Sequence, residues 1–275
     1  MRTQDIAEQL RAQVLTAIEN RTPLRIRGGG SKDFYGRPPV GDILDTRPHQ
    51  GIIHYEPTEL VISARAGTPL KVIEETLAQH NQMLPFEPPA FGVNATLGGT
   101  IACNLSGPRR PWVGAARDFV LGTRVLNGKG EILSFGGEVM KNVAGYDVSR
   151  LMTGAMGTLG VLLEVSLKVL PRPEQSTTLV QPASLAEAQQ TIAHWSARPL
   201  PLSAICFHGD SLYVRLAGSP NSVSAASRIM GGEQLPEGEA FWQAVREQRH
   251  DFFSQDRPLW RISLAADAGE LALEG

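Results

Sequence analysis

At 275 residues, with 42% apolar and 20% charged side chains, the chain can build a sizeable core and reads as an ordinary soluble globular protein of two domains. Its net charge of -2 gives no broad positive field, which argues against nucleic acid or an anionic membrane surface as the main partner; any phosphate is held locally. The opening MRTQDIAEQL lacks the apolar run of a secretion signal, and no stretch approaches the roughly 18 apolar residues of a membrane span, so the expected place is the cytosol, without direct membrane insertion.

Ile6, Leu10, Val14 and Ile18 recur every four residues and predict an amphipathic opening helix that Pro23 stops. Short strands are expected at 24–27, 51–55 and 60–67, separated by Gly/Pro turns. A helix follows over 68–80, with Thr68 as N-cap, Pro69 at the first helical position, and Leu70, Ile73 and Leu77 on one face. In TRVLNGKGEILSF (123–135) two β-rich runs flank Asn127-Gly128-Lys129-Gly130, which is hairpin chemistry. The run 160–171 alternates and ends at proline, as a strand does. Beyond the proline-rich 171–177 the pattern changes: helices at 184–196, 221–230 and 238–249 alternate with strands at 203–209, 211–218 and 259–265, a second, α+β unit.

Three glycine clusters punctuate the first part. Gly28-Gly29-Gly30-Ser31 follows a strand, where bare amides can converge on an anion, or where the chain simply turns. Neither the Rossmann nor the Walker pattern fits it. The second, Gly98-Gly99, lies among Thr96, Thr100, Asn104 and Ser106; the third, GAMGTLGVL (154–162), opens a strand. Each alone suits tight packing. Together they suit an extended, phosphate-bearing ligand, because a core needs few such backbone-exposed stretches. The two cysteines, Cys103 and Cys206, lie far apart, so neither a metal site nor an iron–sulfur cluster is expected on this chain.

RGGGS (27–31), TLGGTIACNLSG (96–107) and GYD with GTLGV (145–161) resemble the FAD-binding domain shared by the vanillyl-alcohol oxidase and para-cresol methylhydroxylase (PCMH) flavoproteins. GPRRPW (107–112), RDFVLGTR (117–124) and FGGEVMKNVAGYDVSRLM (135–152) look more specifically like the FAD-binding subunits of bacterial glycolate oxidases, over nearly the whole chain. The resemblance implies an α+β fold: a two-part FAD-binding PCMH-type domain over 1–173, then a smaller α+β, ferredoxin-like cap over 178–275 that is either cut short or without the closing Asn-Pro-Gly segment of relatives. It implies that Gly28, Gly29, Gly30 and Ser31 face the FAD pyrophosphate. Thr96, Gly98, Gly99 and Asn104 would line the flavin side, and Gly157, Thr158, Gly160 and Val161 would touch the cofactor through backbone. Ser31 stands where covalently flavinylated relatives often carry histidine, so noncovalent FAD is expected. Ala155 and Met156 replace a serine and a glutamate of the relatives, which lowers the expected cofactor affinity.

Oxidising a 2-hydroxy acid needs a hydride acceptor, a base for the hydroxyl proton and a cation for the carboxylate. Arg109 and Arg110 could clamp that carboxylate or an FAD phosphate, or meet a partner subunit; Tyr146 could offer its hydroxyl to flavin or substrate, or be a satisfied core tyrosine; Asp147 suits a helix cap. The six histidines are scattered, and no catalytic residue is assigned. The leading reading is an FAD-binding subunit of a multi-subunit glycolate (2-hydroxy acid) oxidase, inactive alone. A related FAD subunit would carry the clearer substrate site, and electrons would pass to an iron–sulfur subunit, any membrane contact being peripheral and through those partners. A flavin-poor scaffold subunit and a self-sufficient flavin oxidoreductase are the alternatives.

Overall fold

The four-residue apolar repeat at the start of the chain folds into helix α1 (Ala7–Asn20), in which Leu10 and Val14 are buried while Ile18 is 47% exposed. Each four-residue step turns about 40° further around a helix of 3.6 residues per turn, so the end of a strict repeat leaves the buried stripe. The computed structural model describes residues 3–137 and 145–264, and the chain divides into two units, Met1–Arg172 and Pro173–Gly275. Residues 138–144 of the resemblance string FGGEVMKNVAGYDVSRLM lie outside the described residues.

The first unit continues with β1 (Leu24–Arg27), β2 (Asp42–Asp45), β3 (Ile52–Glu56), β4 (Val61–Arg65), α2 (Leu70–Ala78) and β5 (Gln82–Met83). Then come α3 (Leu97–Cys103), α4 (Arg110–Val113), β6 (Val120–Leu126), β7 (Ile132–Gly136), α5 (Val148–Met152), β8 (Val161–Lys168) and β9 (Leu170–Pro171). A five-stranded sheet runs β3-β4-β8-β6-β7 with antiparallel neighbours; β1 and β2 form a separate parallel pair, and β5 pairs with β9. One face of the sheet packs on α2 and α3 through Ile62, Val165 and Leu167 against Ile73, Leu77 and Ile101. The other packs on α1 and the β1–β2 pair through Val161 and Leu163 against Leu10, Val14 and Leu44. A register shift between Arg124↔Glu164 and Val125↔Leu162 leaves Leu163 as an extra residue on β8. Such a bulge sets two successive side chains on one side, here Leu163 in the α1 core and Glu164 paired to Arg124 at 2.7 Å.

The hairpin forms as its turn chemistry requires: Asn127 Oδ1 accepts from the Lys129 and Glu131 N–H groups, and Gly130 adopts φ +75°. The expected Thr68 N-cap does not. Helix α2 begins one residue later, with Pro69 at the cap position, and the Thr68 hydroxyl instead accepts from the Gly51 N–H at 2.9 Å and reaches the Gly51 carbonyl at 3.3 Å. A long-range partner for Thr68 outcompetes the local cap.

The second unit comprises β10 (Gln175–Pro182), α6 (Leu185–Ser196), β11 (Leu202–His208), β12 (Ser211–Gly218), α7 (Pro220–Met230), β13 (Glu233–Gln234) and α8 (Gly238–Arg246). Its first six elements follow the βαββαβ order of a ferredoxin-like unit, with sheet order β11-β12-β10-β13. Ser184 and Glu187 cap α6 reciprocally. Strand β10 starts inside the proline-rich stretch 171–177 at which the pattern changes. The strand expected at 259–265 is absent over 259–264, and residue 265 lies outside the described residues. Among the described residues, no helix is long and apolar enough to cross a membrane.

Helix α1 is fixed at its start by two side chains that its own sequence does not announce. Asp5 Oδ1 accepts from the Ala7 N–H at 2.9 Å, and Nδ1 of the fully buried His49 accepts from the Ile6 N–H at 3.1 Å. An acceptor must be unprotonated, and burial accordingly pushes the His49 imidazole below its ordinary range, with Asp5 pulling the other way. The unfolded chain therefore binds a proton that the folded one refuses as pH falls below about 6.5. Stability from His49 is full above that pH and is lost as pH falls through the folded value. Urea midpoints measured from about pH 7.5 down to about pH 5 should fall in the wild type, whereas His49→Asn, which keeps an acceptor without titrating there, should lose that part of the slope.

Candidate functional site

Strand β1 delivers the first glycine cluster to the rim of a cavity of about 520 Å³, a volume typical of small-molecule sites. Hydrogen bonds from the Thr46 N–H and hydroxyl to the Arg27 carbonyl anchor the strand end at 3.0 and 3.2 Å. The chain beyond has no room for side chains. A Cβ on Gly29 would fall onto the Asn94 carbonyl oxygen, and one on Gly28 would stand 2.5 Å from Thr96 Oγ1. Gly30 takes φ +70°, a left-handed conformation that glycine adopts at little cost. Among the described residues, the N–H groups of Gly28, Gly29, Gly30 and Ser31 donate to no protein acceptor. Four consecutive donors without a protein acceptor at a cavity wall are the arrangement by which backbone can hold an anion.

The second cluster closes another side. Thr96 caps α3 by accepting from the Gly99 N–H at 3.3 Å, and the Gly98 N–H donates to the Ala66 carbonyl at 2.7 Å. A Cβ on Gly98 would lie 2.7 Å from the Ala66 Cβ, so glycine brings α3 onto β4. The third cluster rests on the same helix: Gly154 and Met156 N–H groups donate to the Ile101 and Ala102 carbonyls at 3.0 Å each. Gly157 at φ +79° then turns beside the Ile26 side chain of β1, and Gly160 at φ +143° enters β8.

The cavity wall thus gathers Gly28, Gly29, Gly30, Ser31, Thr96, Gly98, Gly99, Gly157, Thr158 and Gly160, three segments that together span more than a hundred residues of sequence. Two of the residues named from sequence stand elsewhere. Asn104 is the left-handed C-cap of α3 (φ +51°), its Oδ1 accepting from the Arg117 N–H at 3.3 Å, and Val161 is buried in the α1-side core. Arg109 lies outside the wall too: its Nε is 3.5 Å from Glu87 Oε1 and its N–H donates to Glu87 Oε2, tying two loops together. Arg110 is exposed, Tyr146 is 99% exposed rather than buried, and Asp147 caps α5 through the Arg150 N–H at 2.9 Å. None of the six histidines is on the wall.

The wall also carries groups that the glycine pattern did not mark. Arg27, Lys32 and Arg37 contribute three cations against the single carboxylate of Asp33, a locally positive surface on a chain of net charge -2. Lys32 is only 8% exposed, with Nζ 3.5 Å from both Ser31 Oγ and the Ala90 carbonyl and 5.7 Å over the Phe91 ring. Its place directly after the Gly28–Ser31 cluster was the available signal. Ile26, Ala66, Ala102, Met152 and Leu162 make the apolar part, and Cys103 stands among them. Burial pushes the Cys103 thiol up, Lys32 drawing it back only in part, so the thiol stays protonated at neutral pH. Among the described residues, no group of three or more His, Cys, Asp or Glu side chains is placed to hold a metal ion.

Comparison with known proteins places the same residues in a recognised context. The FAD binding domain family matches residues 5–136. Glycolate oxidase subunit GlcE of Escherichia coli is 54% identical over all 275 residues, which span 78% of that protein. Glycolate oxidase subunit GlcD of Bacillus subtilis is 32% identical over 172 residues, 62% of this chain and 36% of its own length. Among solved structures, alkyldihydroxyacetonephosphate synthase superposes with a TM-score of 0.67 at 17% identity, over 90% of this chain and 54% of that one; this likeness concerns the fold alone.

The packing at the first cluster has a measurable consequence. Gly29→Ala should cost about 1–3 kcal/mol in urea unfolding, because the new methyl group meets backbone rather than a yielding side chain. Gly128→Ala, in the hairpin turn with open space around it, should be neutral or stabilising by up to about 1 kcal/mol. Equal effects at the two positions would refute the packing account.

Proposed function

The chain belongs to the family of GlcE subunits of glycolate oxidase, and on that premise we propose that its cavity binds one FAD noncovalently as part of a multi-subunit enzyme oxidising glycolate or a similar 2-hydroxy acid. The observation that carries this reading is the run of four unpartnered amides, Gly28 to Ser31, on a wall shared with the other two glycine clusters. Unsatisfied donors suit the pyrophosphate, and the excess of basic groups suits its two negative charges. The apolar stretch from Ile26 to Leu162 suits a ring system shielded from water.

In this reading Gly28, Gly29, Gly30 and Ser31 hold the diphosphate, with Lys32 neutralising it at close range. Thr96, Gly98 and Gly99 present a surface without bulky side chains, and the backbone at Gly157, Thr158 and Gly160 closes the opposite side. FAD bound there supplies the two-electron acceptor for oxidation of the hydroxy acid. Asn104 and Val161 act on the site only through the segments they anchor. Arg109, engaged with Glu87, is a loop tie, and Arg110 and Tyr146 are surface groups available to a partner subunit.

The wall offers no histidine, its thiol is held protonated, and its one carboxylate, Asp33, is paired with Arg25 at 3.1 Å and Arg27 at 3.7 Å, so no unpaired carboxylate or imidazole stands there as a general base. That supports a division of labour in which a GlcD-like partner supplies the substrate site. With Cys103 and Cys206 placed in different units, electrons from this flavin would leave to an iron–sulfur subunit. The assembly would sit on the cytoplasmic side, reaching a membrane only through its partners.

The purified chain should carry flavin absorbance yet leave glycolate unoxidised until its partner subunits are added. Lys32→Gln should raise the Kd for FAD about tenfold, a loss of about 1.4 kcal/mol, and flatten its dependence on salt. Tyr146→Phe should leave FAD binding unchanged. Unaltered FAD affinity in Lys32→Gln, measured by flavin fluorescence titration, would remove Lys32 from the site. A chain that binds no FAD even in the assembled oxidase would remove the reading itself.

A further inference from the structure

One side of the cavity is built differently from the rest. Asp33, Tyr35, Arg37, Pro38 and Pro39 line it, yet every residue from Asp33 to Val40 is exposed. Phe34 and Val40, which do not line it, are 65% and 84% exposed, so the wall here is a single chain thick. Among the described residues, Gly36 to Gly41 make no backbone-to-backbone hydrogen bond. This stretch is a strap across the cavity, outside the sheet.

Its two ends are pinned. At one, the Asp33 carboxylate meets Arg25 and Arg27, and the Asp33 and Tyr35 N–H groups donate to the Gly30 and Lys32 carbonyls. At the other, the Asp42 N–H donates to the Pro23 carbonyl at 2.9 Å, and Gly41 at φ +142° leaves room for the Pro23 backbone. Between the ends two side-chain contacts hold the strap in place. The Phe34 ring meets Phe91 edge-on at 5.1 Å, and the Met156 methyl group reaches Gly36 so closely that a Cβ there would lie 2.5 Å from it. Pro38 and Pro39 fix their own φ angles, which stiffens the outer half, while Gly36 at φ +88° leaves a pivot in the middle.

Two further features bear on the strap. Met156 is held at φ +51°, a left-handed backbone that a long side chain rarely takes, and its N–H is bound to the Ala102 carbonyl of α3. Such strain persists only where the surrounding structure imposes it, and it gathers at ligand clamps. Arg37 lines the cavity and, among the described residues, makes no hydrogen bond or ion pair, so its charge has no protein partner.

We propose that residues 33–41 are the gate of this cavity, swinging aside to admit FAD and latching back over it through Phe34 on Phe91 and Met156 on Gly36. Arg37 draws the strap onto the diphosphate once FAD is bound. The inference rests on the reading of the cavity as an FAD site and adds to it a means of retention. Phe34 is a positioning residue, because it touches the strap's support and not the cavity. A gate of this kind sets how fast the cofactor leaves, and changes that weaken closure act on release more than on association.

Chymotrypsin reads the strap in the intact, cofactor-free chain, because the bond after Tyr35 lies within it. Met156→Ala should speed cleavage there about threefold or more and Met156→Leu should not, while saturating FAD should slow cleavage of the wild type about tenfold. FAD release followed by flavin fluorescence should be about threefold to tenfold faster in Phe34→Ala and in Arg37→Gln, with association within about twofold of the wild type. The urea midpoint of Phe34→Ala should stay at the wild-type value, since the side chain is exposed. Cleavage that neither Met156→Ala nor FAD alters overturns the gate, and unchanged release in both Phe34→Ala and Arg37→Gln overturns its part in retention. A wild-type chain that takes up no flavin, alone or assembled, falls instead on the reading of the cavity, and the Met156 cleavage rates still decide the latch.

Discussion

The site depends on one close approach of backbone to backbone, that of Gly29 to Asn94, with Gly28 set beside the Thr96 hydroxyl. Any side chain at Gly29 would occupy the place of the Asn94 carbonyl oxygen, so the two segments meet only because the residue there has none. Residues 28 to 31 line the cavity, and among the described residues their amides donate to no protein acceptor. What reads in sequence as flexibility is in the fold a rigid spacing requirement. The same logic recurs at Gly98 against Ala66, where a missing side chain sets the distance between α3 and β4.

Around that contact the sheet works as a bracket. Strands β4 and β8, flanked by α2 and α3 on one face and by α1 on the other, hold the three glycine segments in fixed relation, since each emerges from an element anchored in one of the two cores. The bulge at Leu163 lets β8 serve both. It feeds Val161 and Leu163 to the α1 core and Val165 and Leu167 to the α3 core, while Glu164 is satisfied by Arg124. Because the third cluster is hydrogen-bonded to the last turns of α3, movement of that helix would displace two walls of the cavity together.

The wall concentrates charge without adding an unpaired imidazole or carboxylate. Charge is concentrated where phosphate would lie, on a chain whose total charge is slightly negative, so attraction is local rather than a long-range field. The same wall carries no histidine, and its one carboxylate, Asp33, is paired with Arg25 and Arg27. The histidine with the most evident physical role, His49, lies off the wall and anchors the start of α1.

The sequence by itself determined the elements whose signals are local: the hairpin around Asn127-Gly128, the capped helix after Ser184, the strands at 24–27 and 211–218, and the three glycine clusters that name most of the cavity wall. Only the tertiary structure decided what depends on partners distant in the chain. Thr68 left its helix for Gly51, Arg109 turned to Glu87, Tyr146 came to lie in solvent, and Lys32 moved into the wall. The reason is physical: a turn or a cap is settled within a few residues, whereas a hydrogen bond or ion pair goes to whichever group the packed fold brings nearest. A pattern of one residue type can announce that backbone is left bare, but the folded chain alone fixes what that backbone faces.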